Sequence, residues 1–597
     1  MKRIFSGLLL WLLGTAAVAA SLQRSVDALI NQVDPAINMG IVVVDLNTGE
    51  TLYQRNPNRA FIPASNMKLF SDAAALLVLG PDYRFKSQLS TNATSLENGI
   101  LKGSIYLHLP GDPSFTQAHL ADLLKELSNW NIKRIQGNIV LVSNNRYVNA
   151  YAPGWMVEDL KYSYGAPVAP LVVDENRLTV TVNPAYQPGQ LALVEVNQNA
   201  NFLINNQVKT KSSAAGCGVD FNMDHENRLT VRGCVGLNQW AIQQRIAIRN
   251  PLRYTQELIK QQLADLHIEL DGQIILGGMS AGSFLLATHD SKPVAQLMAD
   301  TLKPSDNLYA DSLFLHAAAK LQGAPLNWQQ AQSVIKAFLQ NQTGIPLDSA
   351  VLTDGSGLSR YDQLTPDQTV GLLRYLHTRF PLAYEYIAAL PVAGHDGTLQ
   401  KRFRKPEEQG LIRAKTGTMT GVVSLSGYLY TANGHTLAFA IYINNMPGTK
   451  PTVSGRYRYL VDTLCSFFLK QKPRFHLFSS PHNPQARVAY QQNPPQTELQ
   501  RKKKAKWRSF ESAVKQALKG QSVTVVFRGN ELILQDHNPN ANKVWAVLQG
   551  LRKKYAFAAA LEDQSTPIKD AHYPLLLWVK SSKQNSPRIW TLREAVS

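Results

Sequence analysis

From Ser21 onward the apolar and polar positions fall into a readable series of elements. SLQRSVDALINQV places its apolar residues at helical spacing, and GIVVVDL and ETLYQ, joined by the NTG turn, read as two strands. FIPASNMKLFSDAAALLVLG then predicts a helix that opens near Ser65. Between about Asp82 and Gly282 the texture changes to short alternating strands, among them KGSIYLHL, GNIVLVS, RLTVTVN, LALVEVN and RLTVRG. The helices HLADLLKELSNW and NPLRYTQELIKQQLADL interrupt them. Helical spacing returns in VAQLMADTL and NLYADSLFLHAAAKL. From Leu411, LIRAKTGT, VVSLSGYLY and TLAFAIYIN read as three strands, the last two split by the turn TANGH, before a closing helix GRYRYLVDTLCSFFLK.

Beyond Lys470 a linker rich in Pro, Asn and Gln leads to RKKKAKWR. After it come an amphipathic helix at 507–519, strands VTVVF and LILQ, a helix KVWAVLQGLRKKY, and strands AFAAALE and PLLLWVK. The expected organisation is therefore a discontinuous body (21–82 and 283–470) around an inserted α+β region (83–282). A strand-rich subdomain at about 178–236 nests in that insertion; a linker (471–506) and a small basic α+β domain (507–597) follow the body.

The first twenty residues have a different character. Lys2 and Arg3 precede an apolar run from Ile4 to Val18, with small residues at Ala17, Ala19 and Ala20. That order predicts a secretory signal peptide cut after Ala19 or Ala20, and hence an exported, periplasmic protein. A retained anchor is the alternative, for which the run is short. No cysteine lies near the cut, which argues against a lipoprotein.

Charge and cysteines refine this picture. The formal charge of the 597-residue chain is +18, yet residues 470–597 hold 22 Lys/Arg against 8 Asp/Glu, so most of the excess belongs to the tail. The basic tail is expected to touch anionic membrane or wall polymer, or to be a solvated linker; export argues against nucleic acid. Cys217 and Cys234 sit in similar strand-like settings across a turn and are expected to pair in an oxidising compartment, with two free thiols as the alternative. Cys465, in VDTLCSFFL, is expected to be a core residue.

Three short motifs carry the chemistry. Ser65 and Lys68, three residues apart, share one helix face. Alone, the pair reads equally as a helix cap beside a solvated charge, and S-x-x-K recurs at Ser333–Lys336 and Ser512–Lys515. Ser305-Asp306-Asn307 lies between two helical runs, and the chain's single Lys415-Thr416-Gly417 lies on a strand and is followed by Thr418. S-x-x-K, S-D-N and K-T-G in this order are the set used by β-lactamases and penicillin-binding proteins for acyl transfer. Ser65 would attack a carbonyl after losing its proton to Lys68, which must titrate near 7–8 rather than about 10.4. Burial and a second cation, Lys415, push in that direction. Asn307 can bond Lys68 and the substrate amide, and Ser305 can relay the proton to the leaving amine. Lys415, with the Thr416 and Thr418 hydroxyls, would hold a substrate carboxylate. The Ser65 and Thr418 backbone N–H groups would form an oxyanion hole. No zinc spacing or phosphate loop competes, DGSGLS at 354–359 lacking a Walker lysine, and no cofactor or metal is implied.

At this point the chain resembles a family. LPGDPSF, PGWMVEDLKYSYGAPVAPLVVDEN, KPSDNLYAD, TDGSGLSR, AGHDGTLQKRF and RAKTGTMTGVVSLSGY are similar to stretches of the class C low-molecular-mass penicillin-binding proteins, the D-alanyl-D-alanine carboxypeptidase/DD-endopeptidase family. The resemblance covers about residues 21–470. It implies an α/β (α+β) penicillin-recognising serine transpeptidase-like domain, an antiparallel sheet flanked by helices. The implied substrates are peptidoglycan stem peptides and crosslinks, with β-lactams as covalent inhibitors. The 236 residues between Lys68 and Ser305 suit that family and are too many for a β-lactamase-like hydrolase, the first alternative. The second alternative, a wall-binding scaffold acting through its tail, sits poorly with an intact motif set. A homodimer is compatible with the sequence.

In relatives, residues of the insertion contact the diaminopimelate side chain of the stem peptide. Asp159 and Tyr164 match those positions, with a structural turn as the alternative, and Arg402 is a further candidate. Thr420 is shorter than the residue some relatives use after K-T-G. His395-Asp396 reads as a turn rather than part of a serine–histidine–aspartate set, because a lysine base is already supplied.

Overall fold

The computed structural model describes residues 21–143, 149–197, 202–447 and 451–470, with Gln516 and the strands 523–528, 531–536, 575–580 and 588–594 of the tail. The chain divides into two compact units, the boundary falling between Pro473 and Arg474.

In the first unit a five-stranded antiparallel sheet runs Ile412–Met419, Val422–Tyr430, Thr436–Asn444, Asn38–Asp45, Thr51–Arg55. Its central strands read as unbroken apolar runs because both faces are covered. Met39, Ile41 and Val43 face one layer with Ile441 and Ile443, under the helix at 21–33 and the helix Pro451–Leu469. Val42, Val44, Ala438, Ala440 and Tyr442 face the other, against the helices Lys68–Leu79, Asn307–Gln322 and Pro366–His377. Cys465 is buried in the first layer as a free thiol, as expected for a core residue.

The inserted region builds its own core from a mixed sheet ordered Ile274–Gly277, Ile139–Val142, Ile105–His108, Lys86–Thr91, Phe284–Asp290, packed on helices Gln117–Asn129 and Pro251–Asp265. Two smaller three-stranded sheets follow. Strand pairing overrides two boundaries drawn from turn signals. Phe284–Asp290 pairs with Lys86–Thr91, so the region runs past Gly282. Ile242–Ala247 pairs with Arg177–Asn183, so the strand-rich part runs past Gly236. Cys217 and Cys234 form a disulfide, with Cα atoms 5.0 Å apart.

In the tail the described strands form one antiparallel sheet, Val523–Arg528, Glu531–Asp536, Arg588–Glu594, Leu575–Lys580. Arg588–Glu594 is a strand the sequence reading did not anticipate; its charged ends hide the apolar centre IWTL. The signal segment, the linker with RKKKAKWR, the helix expected at 543–555 and the strand AFAAALE lie outside the described residues, as does nearly all of the helix expected at 507–519. Among the described residues no helix is long and apolar enough to cross a membrane.

Candidate active site

Ser65 lies on a short 3-10 turn, Ala64–Met67, that runs directly into the Lys68–Leu79 helix. The turn is tight: Ala64 has φ +47°, a left-handed value uncommon for a residue with a Cβ. Two glycines make room for it. A Cβ on Gly357 would fall 1.9 Å from the Ala64 carbonyl oxygen. A Cβ on Gly417, the K-T-G glycine, would fall 2.2 Å from Ser424 Oγ and 2.8 Å from the Pro63 carbonyl. The sheet edge can therefore lie against the serine turn only where the strand has no side chain.

Lys68 is fully buried, and its Nζ makes three contacts: Ser65 Oγ at 3.1 Å, Asn307 Oδ1 at 2.6 Å and the Ser356 carbonyl at 2.6 Å. Asn307 is the first residue of its helix, capped by Asp306, whose Oδ1 accepts from the Tyr309 N–H. Its amide is oriented by donation to the Tyr164 carbonyl at 2.8 Å. Ser305 stands just outside this helix at φ +67° and accepts from Lys415 Nζ at 2.8 Å. The three motifs thus converge: Ser65–Lys68–Asn307 on one side, Ser305–Lys415 on the other.

Burial lowers Lys68 from 10.5 to about 8, the range a general base needs at neutral pH. The expected push from Lys415 is outweighed: after burial the largest influences are the carboxylates of Asp311, Asp354, Asp306 and Asp72, which pull the lysine back up. Lys415, also fully buried, is held well below an ordinary ammonium, first by burial and then by Lys68.

DGSGLS, which the sequence reading left without a chemical role, forms a wall of the site. Asp311 Oδ1 accepts from the Gly355 and Ser356 N–H groups at 2.7 and 2.9 Å. Asp354 accepts from the Gly357 and Ser359 N–H groups and from the Trp155 indole. These buried acids fix the loop so that the Ser356 carbonyl meets Lys68. An acid beginning a Gly-Ser-Gly turn was the available signal.

A cleft of about 280 Å³ opens over these groups, lined by Ser65, Ser305, Asn307 and Thr418 together with Asp159, Tyr164, Arg360 and Thr420. Asp159 and Tyr164 are bonded to one another, the phenol donating to Oδ1 at 2.9 Å. Arg360, absent from the sequence reading, donates to the Thr420 carbonyl at 2.8 Å. The Thr416 hydroxyl is turned away to Thr398 at 2.8 Å, so of the two threonines only Thr418 lines the cleft. Arg402 does not reach it: Nε donates to Asp462 at 3.1 Å, tying the preceding turn to the Pro451–Leu469 helix. That candidate is corrected, because a nearby carboxylate already holds the guanidinium. The rival lysine Lys336 bonds the Asp348 and Ala350 carbonyls and is structural. Asp396 pairs with Lys303 and accepts from the Val392 N–H, so His395–Asp396 is a turn, as expected.

Residues 22–460 match the D-Ala-D-Ala carboxypeptidase 3 (S13) family. The chain belongs to that family. Among curated S13-like relatives, the D-alanyl-D-alanine carboxypeptidase DacB of Haemophilus influenzae is 31% identical over 425 residues, 70% of this chain and 88% of that protein. The D-alanyl-D-alanine carboxypeptidase of an Actinomadura species is 31% identical over 460 residues, 73% of this chain and 83% of its own. The crystal structure of penicillin binding protein 4 from H. influenzae superposes with a TM-score of 0.68 at 29% identity, covering 75% of this chain and 99% of that one. The same protein complexed with a novel β-lactam gives 0.65 at 28% identity, with the same coverage. This S13 protein is a D-Ala-D-Ala carboxypeptidase with the penicillin-recognising serine hydrolase fold. Among the described residues no group of His, Cys, Asp and Glu is placed to hold a metal ion.

Proposed function

We propose that Ser65 is the nucleophile and Lys68 its base in a serine acyl-transfer mechanism on peptidoglycan stem peptides. The observation that carries this reading is the three-way contact of Lys68 Nζ. A neutral amine has two N–H bonds and one lone pair. Asn307 Oδ1 and the Ser356 carbonyl can only accept, so they take the two hydrogens and leave the lone pair facing Ser65 Oγ. The serine proton passes to Lys68 as Oγ attacks the carbonyl of the penultimate D-Ala. The Ser65 and Thr418 backbone N–H groups stabilise the oxyanion. Ser305, bonded to Lys415, delivers its hydroxyl proton to the departing amine and recovers the one that Lys68 took from Ser65, so Lys68 is neutral again when water hydrolyses the ester. Lys415 and Thr418 hold the terminal carboxylate. Asp159 takes the ammonium of a diaminopimelate side chain and Arg360 its carboxylate, with Tyr164 positioning Asp159. Where the departing amine belongs to a neighbouring diaminopimelate, the same steps cut a crosslink.

A β-lactam presents a strained amide beside a carboxylate and acylates the same serine. Labelling with a fluorescent penicillin followed by peptide mass analysis should place the adduct on Ser65; an adduct elsewhere sinks the assignment. The chain is exported in this reading, and its basic tail holds the enzyme near polyanionic surfaces. Truncation after Lys470 should leave hydrolysis of small D-Ala-D-Ala peptides near the full-length rate while binding to sacculi falls, most at low salt. Equal sacculus binding by both forms at every salt concentration refutes the electrostatic anchor.

A further inference from the structure

A second cavity of the first unit, of about 690 Å³, shares no lining residue with the Ser65 cleft. Its volume is that of a site for an organic ligand rather than a single ion. It lies where the chain enters the inserted region and leaves it again, and the two crossings are stitched together there. Arg84 Nη1 donates to the Ser291 carbonyl at 2.6 Å, the Phe85 N–H to Ser291 Oγ at 2.9 Å and the Ser291 N–H to the Phe85 carbonyl at 2.9 Å. Lys292, Gln296 and Tyr309 line the cavity from the body; the 113–117 turn, Asp174–Thr179 and Arg245 line it from the insertion.

The charges facing this space are unevenly matched. Arg177 is committed to Asp306 at 2.7 Å and to Glu175, and Lys292 to Asp300 at 2.7 Å. Arg245, on the strand paired with that of Arg177, donates no hydrogen bond through its guanidinium among the described residues and stands 3.6 Å from the same Glu175. Arg84 meets no carboxylate among the described residues, its contact being the neutral Ser291 carbonyl. Two guanidiniums, each with five N–H donors, therefore have donors to spare. Asp290 is a spare acid, without a hydrogen bond or ion pair through its carboxylate among the described residues. A cluster of rings completes the lining: His119 stacks on His289 with centroids 4.0 Å apart, and Phe115 meets His289 at 5.5 Å. The backbone is strained at the same place. Asp174, Glu175 and Asn176 are consecutive left-handed residues at φ +48°, +58° and +49°, a conformation that side chains with a Cβ disfavour. Asp174 is held by the Gln117 N–H and the Tyr254 hydroxyl, and Asn176 donates to the Pro167 and Leu171 carbonyls. The turn so fixed sets Glu175 against both arginines, and strain of this kind collects at ligand sites.

We propose that the seam is a second binding site, for a short acidic peptide that also carries a free ammonium, the chemistry of a second stem peptide of the peptidoglycan. Arg84 and Arg245 take its carboxylates, Asp290 takes its ammonium, and the rings cover its aliphatic chain. A compact polyanion such as phosphate suits the site poorly, because the cations come from separate elements and Asp290 repels it. A peptide seated there touches body and insertion at once, so the enzyme grips the wall with the same unit that carries the cleft.

The test is equilibrium binding of the tripeptide L-Ala-γ-D-Glu-diaminopimelate, which ends before the D-Ala pair and cannot be cleaved there, to the full-length chain acylated with penicillin G. The acylation serves only to fill the cleft. The acylated chain should still bind one tripeptide. Arg84→Met and Arg245→Met should each weaken that binding about tenfold, as loss of a charged hydrogen-bonding partner does, while small D-Ala-D-Ala peptides are hydrolysed at the unsubstituted rate. A photo-crosslinking form of the tripeptide should attach to the unsubstituted chain within residues 113–119, 174–179 or 289–296, which tests the site even if a variant folds poorly. Loss of binding on acylation, equal binding by the arginine variants, or attachment confined to other segments overturns the site. Displacement of the tripeptide by an equal concentration of inorganic phosphate overturns the assignment to a peptide.

Discussion

Two cavities of the first unit deserve to be set side by side. The larger, about 690 Å³, lies at the seam between the inserted region and the helices of the body and is lined by Arg84, Arg177, Arg245, Lys292, Glu175 and Tyr309 among others. The smaller is the Ser65 cleft, of about 280 Å³. In the seam, cations meet acids: Arg177 with Asp306 at 2.7 Å, Arg245 with Glu175 at 3.6 Å, Lys292 with Asp300 at 2.7 Å. Beside the cleft, two lysines are wholly buried and, among the described residues, bond neutral groups alone. In the proposed mechanism the chemistry sits not in the larger cavity but beside these two amines, whose protons burial loosens. The seam behaves instead as a joint, and through Asp306 it reaches the cap of the helix that presents Asn307.

The sharpest break of this contrast is at the cleft. Ser65→Ala should lower kcat by something on the order of 10³–10⁶. Lys68→Arg should do nearly as badly, because arginine stays protonated at any working pH. Near-normal acylation by a folded Lys68→Arg chain would end the base assignment.

Next comes pH. Burial lowers Lys68 to about 8, and with Lys68 as the base only its neutral form can take the serine proton, so acylation should fall as pH drops through that value. Each further unit below it removes about tenfold, giving on the order of a hundredfold loss near pH 6. Stopped-flow acylation that stays flat down to pH 6 would show that the lysine is not the base.

At the seam, Arg177→Met leaves Asp306 and Glu175 without the guanidinium between them. Removing one partner of a buried pair costs about 3–5 kcal/mol, and this pair is partly exposed, so a cost near the lower end is expected. Chemical denaturation measures it. Turnover should fall by roughly tenfold through the shifted helix cap, without a change in the pH at half-maximal rate. A loss as large as that of Ser65→Ala would mean the seam takes part in the reaction itself.

The smallest effect is expected at two other residues that line the cleft. Asp159→Asn and Arg360→Gln should each raise KM about tenfold for diaminopimelate peptides, as removing one charged contact does. Small D-Ala-D-Ala peptides lacking that side chain should be hydrolysed unchanged. Equal losses on both substrates would move these residues from recognition to fold.

Much of this was legible in the sequence because it is local. The apolar runs VVSLSGYLY and TLAFAIYIN, split by TANGH, read as strands and are strands; that both their faces are covered emerged only from the structure. Ser65 and Lys68 share a helix face by spacing alone. Order and context did the rest, separating this S-x-x-K from the one at Ser333, whose lysine proves structural. The misreadings were of residues whose partners are distant in the chain. Arg402 looked like a ligand contact until Asp462, sixty positions away, proved to hold it. Phe284–Asp290 was not seen as part of the insertion because its partner strand, Lys86–Thr91, lies nearly two hundred residues earlier.

By itself the sequence determined the motif set, the family and the helix and strand types of the body, since each depends on residue type and short spacing; the Cys217–Cys234 pairing it only favoured, and the structure decided it. The tertiary structure decided which charges were left unpaired. Asp354 and Asp311 became loop clamps, Ser356 became an acceptor for Lys68, and the buried Asp72 carboxyl was left without a hydrogen-bond partner among the described residues. No local pattern can state that, because the proton affinity of a buried group is fixed by everything packed around it, and that shell is assembled from segments far apart in the chain.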